Sequence, residues 1–223
     1  MNSEKYLEEF NLSIEQLEKF NIYKDLLIEA NQKMNLTTIT NIDEIYIKHF
    51  YDSLLLYKIN PQIDNLYDIG TGAGFPGMPY AIVSNQKVVL VEATKKRCDF
   101  LKEVKDKLLL KNVTITNDRI ENIKEKYPYA TARAVAKINI LLELITPNLE
   151  VGGIFYALKG SNYNDELNEA QHALKELNVR VNNIYKFSLP NNLGERIIIE
   201  FKKISETPSK YPRRYANIVS KPL

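Results

Sequence analysis

The chain has 223 residues, 44% hydrophobic and 26% charged, with a formal net charge of +2, which excludes disorder driven by excess charge and favours one principal folded domain with an appendage. One cysteine and two histidines are too few for an internal disulfide or for a metal cluster of these residues, so no metal is expected. No apolar run approaches the roughly 20 residues that cross a bilayer, and the opening MNSEKYLEEF is acidic where a signal peptide is basic, so we predict a cytoplasmic protein without a membrane segment.

The first sixty residues carry two helix signals. A capping box at Ser13–Gln16 precedes apolar residues at helical spacing, which predicts a helix over about 13–31. A second start signal at 41–44 leads into another helical pattern that Pro61 ends. We therefore predict an N-terminal helical layer over residues 1–60.

Short apolar runs alternate with longer amphipathic stretches over residues 61–204. The runs are LYDI, VVLVE, VTIT, ATARAV, GGIFYALK, VNNIYKFSL and RIIIEFKK. Strands that alternate with helices form βαβ units, and hence a parallel sheet. Only PNNLGE separates the last two runs. The pattern predicts an α/β, Rossmann-like domain with a mostly parallel sheet and an antiparallel edge hairpin.

Four of the eight glycines lie in LYDIGTGAGFPG, residues 66–77. A glycine-rich turn between a strand and a helix lets backbone N–H groups approach a ligand at the carboxyl edge of the sheet. Gly72, Gly74 and Gly77 fit the dinucleotide pattern G-x-G-x-x-G. Gly70, Gly72 and Gly74 fit G-x-G-x-G, which resembles motif I of S-adenosylmethionine (SAM) dependent methyltransferases. The second register is favoured because Gly70 directly follows the apolar run.

Two acids beside this turn bear on the choice of cofactor. Asp68, at the carboxyl end of the first strand, opposes an anionic pyrophosphate and favours a ligand with sulfonium and ammonium groups. Glu92, at the end of the next strand, can accept hydrogen bonds from both ribose hydroxyls in either cofactor. Charge therefore favours SAM over NAD, with a purely structural turn as the alternative.

Other candidate catalytic groups have simpler interpretations. His49, Asp52 and Ser53 lie on one helix as in a hydrolase site, but the sequence has no G-x-S-x-G turn, so we interpret them as a polar helix face that could border a cleft. Cys98 lies in a predicted amphipathic helix without the Pro-Cys context of cytosine-C5 methyltransferases, so we interpret it as a structural cysteine.

Basic residues gather at two places. Arg133 and Lys159 follow predicted strands and should reach the same edge of the sheet as the glycine turn. The stretch from residue 202 to the end has one acid, Glu206, against six basic residues, which are Lys202, Lys203, Lys210, Arg213, Arg214 and Lys221. This charge suggests contact with a polyanion, although a solvated, frayed terminus explains the tail, residues 205–223, equally well.

Motifs along nearly the whole chain match one family in order. MNLTTI and IKHFYDSLLL resemble its N-terminal signature, DIGTGAGFPGMPYAI its motif I, and KKRCDFLKEV the helix after its second strand. DRIENI, ATARAVA, ALKG and TPSKYPRR follow. The family is that of the RsmG (GidB) methyltransferases, which methylate guanine N7 in bacterial small-subunit ribosomal RNA. The end, RRYANIVSKPL, lacks the glycine and proline that commonly follow the basic pair.

The resemblance, with the arguments above, implies two groups of site residues. The predicted cofactor-binding residues are Asp68, Gly70, Gly72, Gly74, Phe75, Glu92, Ala93, Thr94, Ile120, Glu121 and Arg133. Within this group the resemblance places Ile120 and Glu121 at the adenine. The predicted RNA-binding residues are Arg133, Lys159, Lys210, Arg213 and Arg214.

We therefore predict a monomeric SAM-dependent methyltransferase that acts on a guanine N7 of 16S ribosomal RNA, free or in the small ribosomal subunit. N7 presents a lone pair and carries no proton to remove, so no catalytic residue is predicted. The alternatives are a SAM-dependent methyltransferase with another RNA or small-molecule acceptor, and a noncatalytic RNA-binding assembly factor. An NAD oxidoreductase ranks behind them.

Overall fold

A single sheet with helices on both faces organises the fold. A computed structural model of the chain describes residues 3–223, and seven strands lie within them. The strands are β1 (Leu66–Ile69), β2 (Val88–Val91), β3 (Val113–Thr116), β4 (Tyr127–Arg133), β5 (Leu149–Lys159), β6 (Val179–Ser188) and β7 (Glu195–Lys203). Their order across the sheet is β3-β2-β1-β4-β5-β7-β6.

The first five strands pair in parallel, and β7 pairs antiparallel with both β5 and β6. Leu66 of β1 is level with Val88 of β2 and Tyr129 of β4. Antiparallel neighbours need only a short connection, and a turn between β6 and β7 is closed by Leu189 N, which donates to Gly194 O at 2.9 Å. The predicted mostly parallel sheet with an antiparallel edge hairpin is confirmed.

Helices fill the connections between most strands. Over all the described residues the α-helices are α1 (Ile14–Met34), α2 (42–59), α3 (Gly77–Val83), α4 (Lys95–Lys107), α5 (Ile138–Ile145), α6 (Tyr163–Glu169), α7 (Gln171–Glu176) and α8 (Tyr215–Ser220), and 3-10 helices lie at Ser3–Phe10, Ile120–Asn122 and Pro190–Asn192. The predicted capping box of α1 is present, because Ser13 N donates to Gln16 Oε1 at 2.9 Å and Gln16 N donates to Ser13 Oγ at 3.2 Å. No helix in this part of the chain has the length and apolarity to span a membrane.

Helix α2 is continuous but not regular. It opens with a turn at Ile42–Glu44, widens into a π-helical stretch at Ile45–Tyr51 and returns to α-helix at Asp52–Ile59. The side chain of Asn41 caps it as predicted, because it accepts from Glu44 N at 3.1 Å. Hydrophobic periodicity does not reveal a π-helical stretch, and such stretches frequently occur at functional sites.

The N-terminal helices share their core with the sheet. One cluster of buried side chains joins Phe20, Leu27 and Phe50 of these helices to Leu66 and Leu90 of the sheet. A second cluster packs α5 and α7 against the opposite face. Burial of such continuous apolar surface is the main favourable contribution to folding. The division into residues 1–60, 61–204 and 205–223 stays a prediction, although the first of these segments folds onto the sheet.

The basic tail packs against α5. Ile218 of α8 is fully buried. The Arg213 guanidinium contacts the fully buried carboxylate of Glu143 through Nε at 2.7 Å and Nη2 at 2.5 Å. Two parallel N–H···O contacts of this kind are strong and fix geometry. The alternative of a solvated, frayed terminus is therefore wrong.

The Arg213–Glu143 pair should make a large contribution to the free energy of unfolding. We expect Arg213→Ala to lower the free energy of unfolding by about 3 kcal/mol, because it leaves a buried carboxylate without its counter-charge. The neighbouring Arg214 is exposed, so Arg214→Ala should change stability by less than about 0.5 kcal/mol. Urea unfolding of both variants measures the difference, and equal effects would contradict the assignment.

Candidate functional site

The strand order of the sheet reverses between β1 and β4. The chain passes from β1 to β2 on one side and from β4 to β5 on the other. Open α/β sheets bind ligands in the crevice at this point, beyond the carboxyl ends of the strands. Three cavities lie here, with volumes of about 570, 220 and 140 Å³.

The three cavities form one cleft. The turn cavity, of about 220 Å³, is lined by residues that include Gly70, Gly72, Phe75 and Arg133. The apolar cavity, of about 140 Å³, includes Gly70, Ile69, Val91, Ile120, Leu141 and Leu144. The basic cavity, of about 570 Å³, includes Lys48, Arg133, Lys137, Lys159 and Arg196. Gly70 is common to the turn and apolar cavities, Arg133 to the turn and basic cavities, and Val135 to the apolar and basic cavities, so the three cavities adjoin one another.

The glycine turn is packed tightly from the N-terminal layer. The hydroxyl of Tyr23, in α1, donates to Ala73 O at 2.5 Å. Gly74 has a φ of +104°, and a Cβ atom there would collide with the same hydroxyl. Glycine is therefore required at this position both by the backbone conformation and by the close approach.

Asp68 braces the turn from beneath. Its Oδ2 accepts from Thr71 Oγ1 at 2.6 Å and from Gly77 N at 2.8 Å, and the side chain has no exposed surface. Burial raises the pKa of Asp68 to about 6, against the opposing effect of these hydrogen bonds. The sequence predicts a charge contact between Asp68 and a cationic ligand. The structure places this carboxylate inside the turn, so that role stays a prediction.

Glu92 closes the turn from the side. Its Oε2 accepts from Gly72 N at 3.1 Å, its Oε1 accepts from Thr94 N at 2.7 Å, and Arg97 Nη1 lies 3.6 Å away. The carboxylate thus joins the end of β2 to the turn and to the start of α4. Each oxygen keeps a further lone pair that can accept from a ligand hydroxyl.

The structure gathers most of the other predicted cofactor residues. Ala93, Ile120 and Glu121 line the apolar cavity. Phe75 lines the turn cavity, where it stacks between Tyr23 and His49 with ring centroids 5.4 and 4.5 Å away. Two of these other predicted residues do not line the cavities. Thr94 is exposed at the start of α4, and Gly74 lies inside the turn.

Arg133 sits at the centre of a cluster that sequence reasoning missed. Its Nη1 donates to Asp52 Oδ2 at 2.8 Å and to Lys48 O at 3.1 Å, and its guanidinium carbon lies 5.0 Å from the Phe75 ring centroid. His49 Nδ1 is 3.3 Å from Arg133 Nη2. The motif H-F-x-D-S-L was the available signal, since it places His49 and Asp52 on one helix.

His49 is neutral and fully engaged. Burial, with the nearby charges of Arg133 and Lys48, lowers the pKa of His49 to about 3. Because Nδ1 faces the Arg133 donor, the proton belongs on Nε2, which lies 2.9 Å from Thr37 Oγ1. His49 therefore supports Arg133 and Phe75 and has no free nitrogen to act as a base.

The remaining candidate nucleophiles are structural. Ser53 is fully buried and its Oγ donates to His49 O at 2.6 Å. Cys98 is buried, as the sequence indicates, with its Sγ 3.2 Å from Glu92 O. Within residues 3–223 no group of three or more His, Cys, Asp or Glu side chains is placed to hold a metal ion.

Two cations of the basic cavity, Lys159 and Arg196, have close acidic partners. Lys159 Nζ lies 2.6 Å from Glu166 Oε2 and donates to Ala136 O at 2.7 Å. Its ammonium is mostly buried and paired, which places it in the cavity wall, and its contact with RNA phosphate stays a prediction. Arg196, which the sequence did not single out, lines the cavity and places Nε 3.1 Å from Asp52 Oδ1.

The predicted RNA-binding residues of the tail also differ in whether they have an acidic partner. Arg213 pairs with the buried Glu143 and anchors the tail, and its contact with RNA stays a prediction. Lys210 pairs with Glu176 at 3.1 Å but stays exposed. Arg214 is exposed and has no ion pair among the described residues. A sequence shows the number of cations in a tail but not which of them have buried partners.

Comparison with known proteins identifies close sequence relatives. A family model described as GidB, rRNA small subunit methyltransferase G, matches residues 16–195. Ribosomal RNA small subunit methyltransferase G of Carboxydothermus hydrogenoformans is 42% identical, over 98% of this chain and 97% of its own length. The protein of the same name from Bacillus subtilis is 40% identical, over 92% of this chain and 89% of its own length.

Solved structures share the fold. The ribosomal protein L11 methylase of Lactobacillus delbrueckii subsp. bulgaricus has a TM-score of 0.57 at 13% identity, covering 71% of this chain and 79% of that one. TYW2 of M. jannaschii, solved in complex with AdoMet, has a TM-score of 0.54 at 15% identity, covering 69% of this chain and 77% of that one. The fold is thus the Rossmann-like fold of SAM-dependent methyltransferases, as predicted.

The raised pKa of Asp68 predicts a specific pH dependence of stability. Because its folded-state pKa, about 6, lies above the ordinary 3.8, the ionised carboxylate opposes folding above pH 6, and this cost is relieved as the pH falls from 6 towards 4. Asp68→Asn removes the titration while keeping an oxygen to accept from Gly77 N. The unfolding free energy of the variant minus that of the wild type should be larger at about pH 7.5 than at about pH 5, by on the order of 1 kcal/mol. Urea unfolding at both pH values measures this, and a difference independent of pH would contradict it.

Proposed function

The chain belongs to the rRNA small subunit methyltransferase G family, and we propose that it transfers a methyl group from SAM to N7 of a guanine in bacterial 16S ribosomal RNA, in the cytoplasm. The observation that carries the proposal is that the turn cavity adjoins both an apolar and a basic cavity. A donor bound at the turn and a nucleic acid bound at the cations would share the wall formed by Arg133.

The residues around the turn fit SAM. The apolar cavity offers aliphatic side chains to a flat adenine, and Glu92 offers carboxylate oxygens to ribose hydroxyls. The turn cavity is more polar, with backbone of the turn, Thr71 and Arg97 among its lining, and suits the amino-acid end. SAM supplies a methyl group activated by its sulfonium.

Catalysis needs no base from the protein. Guanine N7 carries a lone pair and no proton. The titratable groups that line the turn and basic cavities already have partners. Both ring nitrogens of His49 contact hydrogen-bonding groups, Asp52 pairs with Arg133, and Glu166 pairs with Lys159. The chain's contribution is then to hold the methyl carbon and N7 in line. For well-oriented partners this lowers the activation barrier by up to about 7–11 kcal/mol.

The charge of the basic cavity fits an RNA acceptor. Five cations line it, Lys48, Arg133, Lys137, Lys159 and Arg196, against the two acids Asp52 and Glu166. The side chain of Lys137 is more than half exposed, and its Nζ lies 2.8 Å from Glu169 Oε2. Excess positive charge in a concave site attracts and orients phosphates.

Mapping the transferred methyl group tests the proposal. With tritium-labelled SAM and either free 16S ribosomal RNA or intact small subunits, we expect the label to co-migrate with authentic 7-methylguanosine after digestion to nucleosides. Label in another nucleoside or in a small molecule would replace the proposed acceptor. Binding of SAM without transfer to any RNA would instead favour a noncatalytic assembly factor.

A further inference from the structure

The C-terminal segment, residues 211–223, runs along α5 and lies beyond the residues that the family model matches. The Arg213–Glu143 pair holds its start, and the fully buried Ile218 holds its helix. At its end, Asn139 Nδ2 donates to Leu223 O at 3.3 Å. The segment is therefore fixed to α5 at three points.

Helix α5 also forms a wall of the apolar cavity, through Leu141 and Leu144. Tyr215, the first residue of α8, lines the same cavity. Tyr215 is 45% exposed as a residue, so it stands at the edge of the cavity. The Arg119 guanidinium carbon lies 5.6 Å from the ring centroid and lines the cavity as well.

These groups suit a flat aromatic ligand. Aliphatic side chains of the sheet and of α5 give the cavity an apolar floor, and a tyrosine ring with an adjacent guanidinium stands beside it. Aromatic rings and guanidinium planes stack on purines. A half-exposed ring also loses contact with water when a second ring covers it, which favours binding.

We propose that Tyr215 stacks on the adenine of SAM, and that the C-terminal segment is a wall of the cofactor site. The inference rests on the proposed function, because SAM is the cofactor of that reaction. Arg213 and Glu143 are positioning residues here, since they fix the segment that carries Tyr215. The basic tail thereby gains a role at the cofactor, separate from any contact with RNA.

Calorimetric titration with S-adenosylhomocysteine tests this directly. We expect Tyr215→Ala to weaken binding by about tenfold, as for loss of one stacked aromatic ring. Tyr215→Phe keeps the ring and should bind within about twofold of the wild type. Val219→Ala is the matched control, because Val219 is exposed on the same helix but does not line the cavity, and it should leave binding unchanged.

A second ligand localises the effect. 5′-Methylthioadenosine keeps the adenosine and lacks the amino-acid end, so Tyr215→Ala should weaken its binding by the same factor. Unchanged binding of both ligands to Tyr215→Ala would overturn the inference while the proposed function stands. A wild-type chain that binds neither SAM nor S-adenosylhomocysteine would overturn the proposed function and the inference with it.

Hydrogen exchange in the unaltered protein gives an answer that does not depend on folding of the variants. S-adenosylhomocysteine should slow amide exchange both in the glycine turn, residues 70–74, and in residues 214–219. Slower exchange at the turn alone would contradict a contact with the C-terminal segment.

Discussion

Two buried carboxylates determine the form of the glycine turn, and the rest of the site depends on that form. Asp68 bonds to the turn from beneath and Glu92 from the side. Most N–H groups of the turn donate to backbone carbonyls, but those of Gly72 and Gly77 donate to these two carboxylates, because a buried N–H group needs an acceptor. This arrangement holds the end of β1, the end of β2 and the start of α3 together, and it leaves the backbone of Gly70 and Gly72 facing the cleft.

The N-terminal layer completes the site from the opposite side. Asp52 and His49 hold Arg133 over Phe75, and Tyr23 packs against the turn. His49 and Arg133 line both the turn cavity and the basic cavity, so the contacts that attach the layer to the sheet also shape the boundary between these two cavities. Because a buried charge is costly unless it is paired, stability and site geometry depend on the same ion pair.

Local signals predicted much of the fold. The capping box of α1, all seven apolar runs and the edge hairpin rest on neighbouring residues, and the structure contains them. Partners distant in sequence were not predictable. Arg133 finds Asp52 across 81 positions and Arg213 finds Glu143 across 70, so residues that look like free cations in the sequence are paired in the fold. The π-helical stretch in α2 has no periodic signature, and the motif H-F-x-D-S-L placed His49 and Asp52 on one helix without showing that both contact Arg133.

The central claim is that the turn at the strand reversal binds SAM with help from Glu92. Calorimetric titration of Glu92→Gln with SAM tests it most directly, because the amide keeps the shape of the side chain but not its paired acceptor oxygens. The account predicts about tenfold weaker binding, the loss of roughly one charge-assisted hydrogen bond. Glu103→Gln, on the exposed surface of α4, should bind as the wild type does. Wild-type affinity in Glu92→Gln would contradict the account.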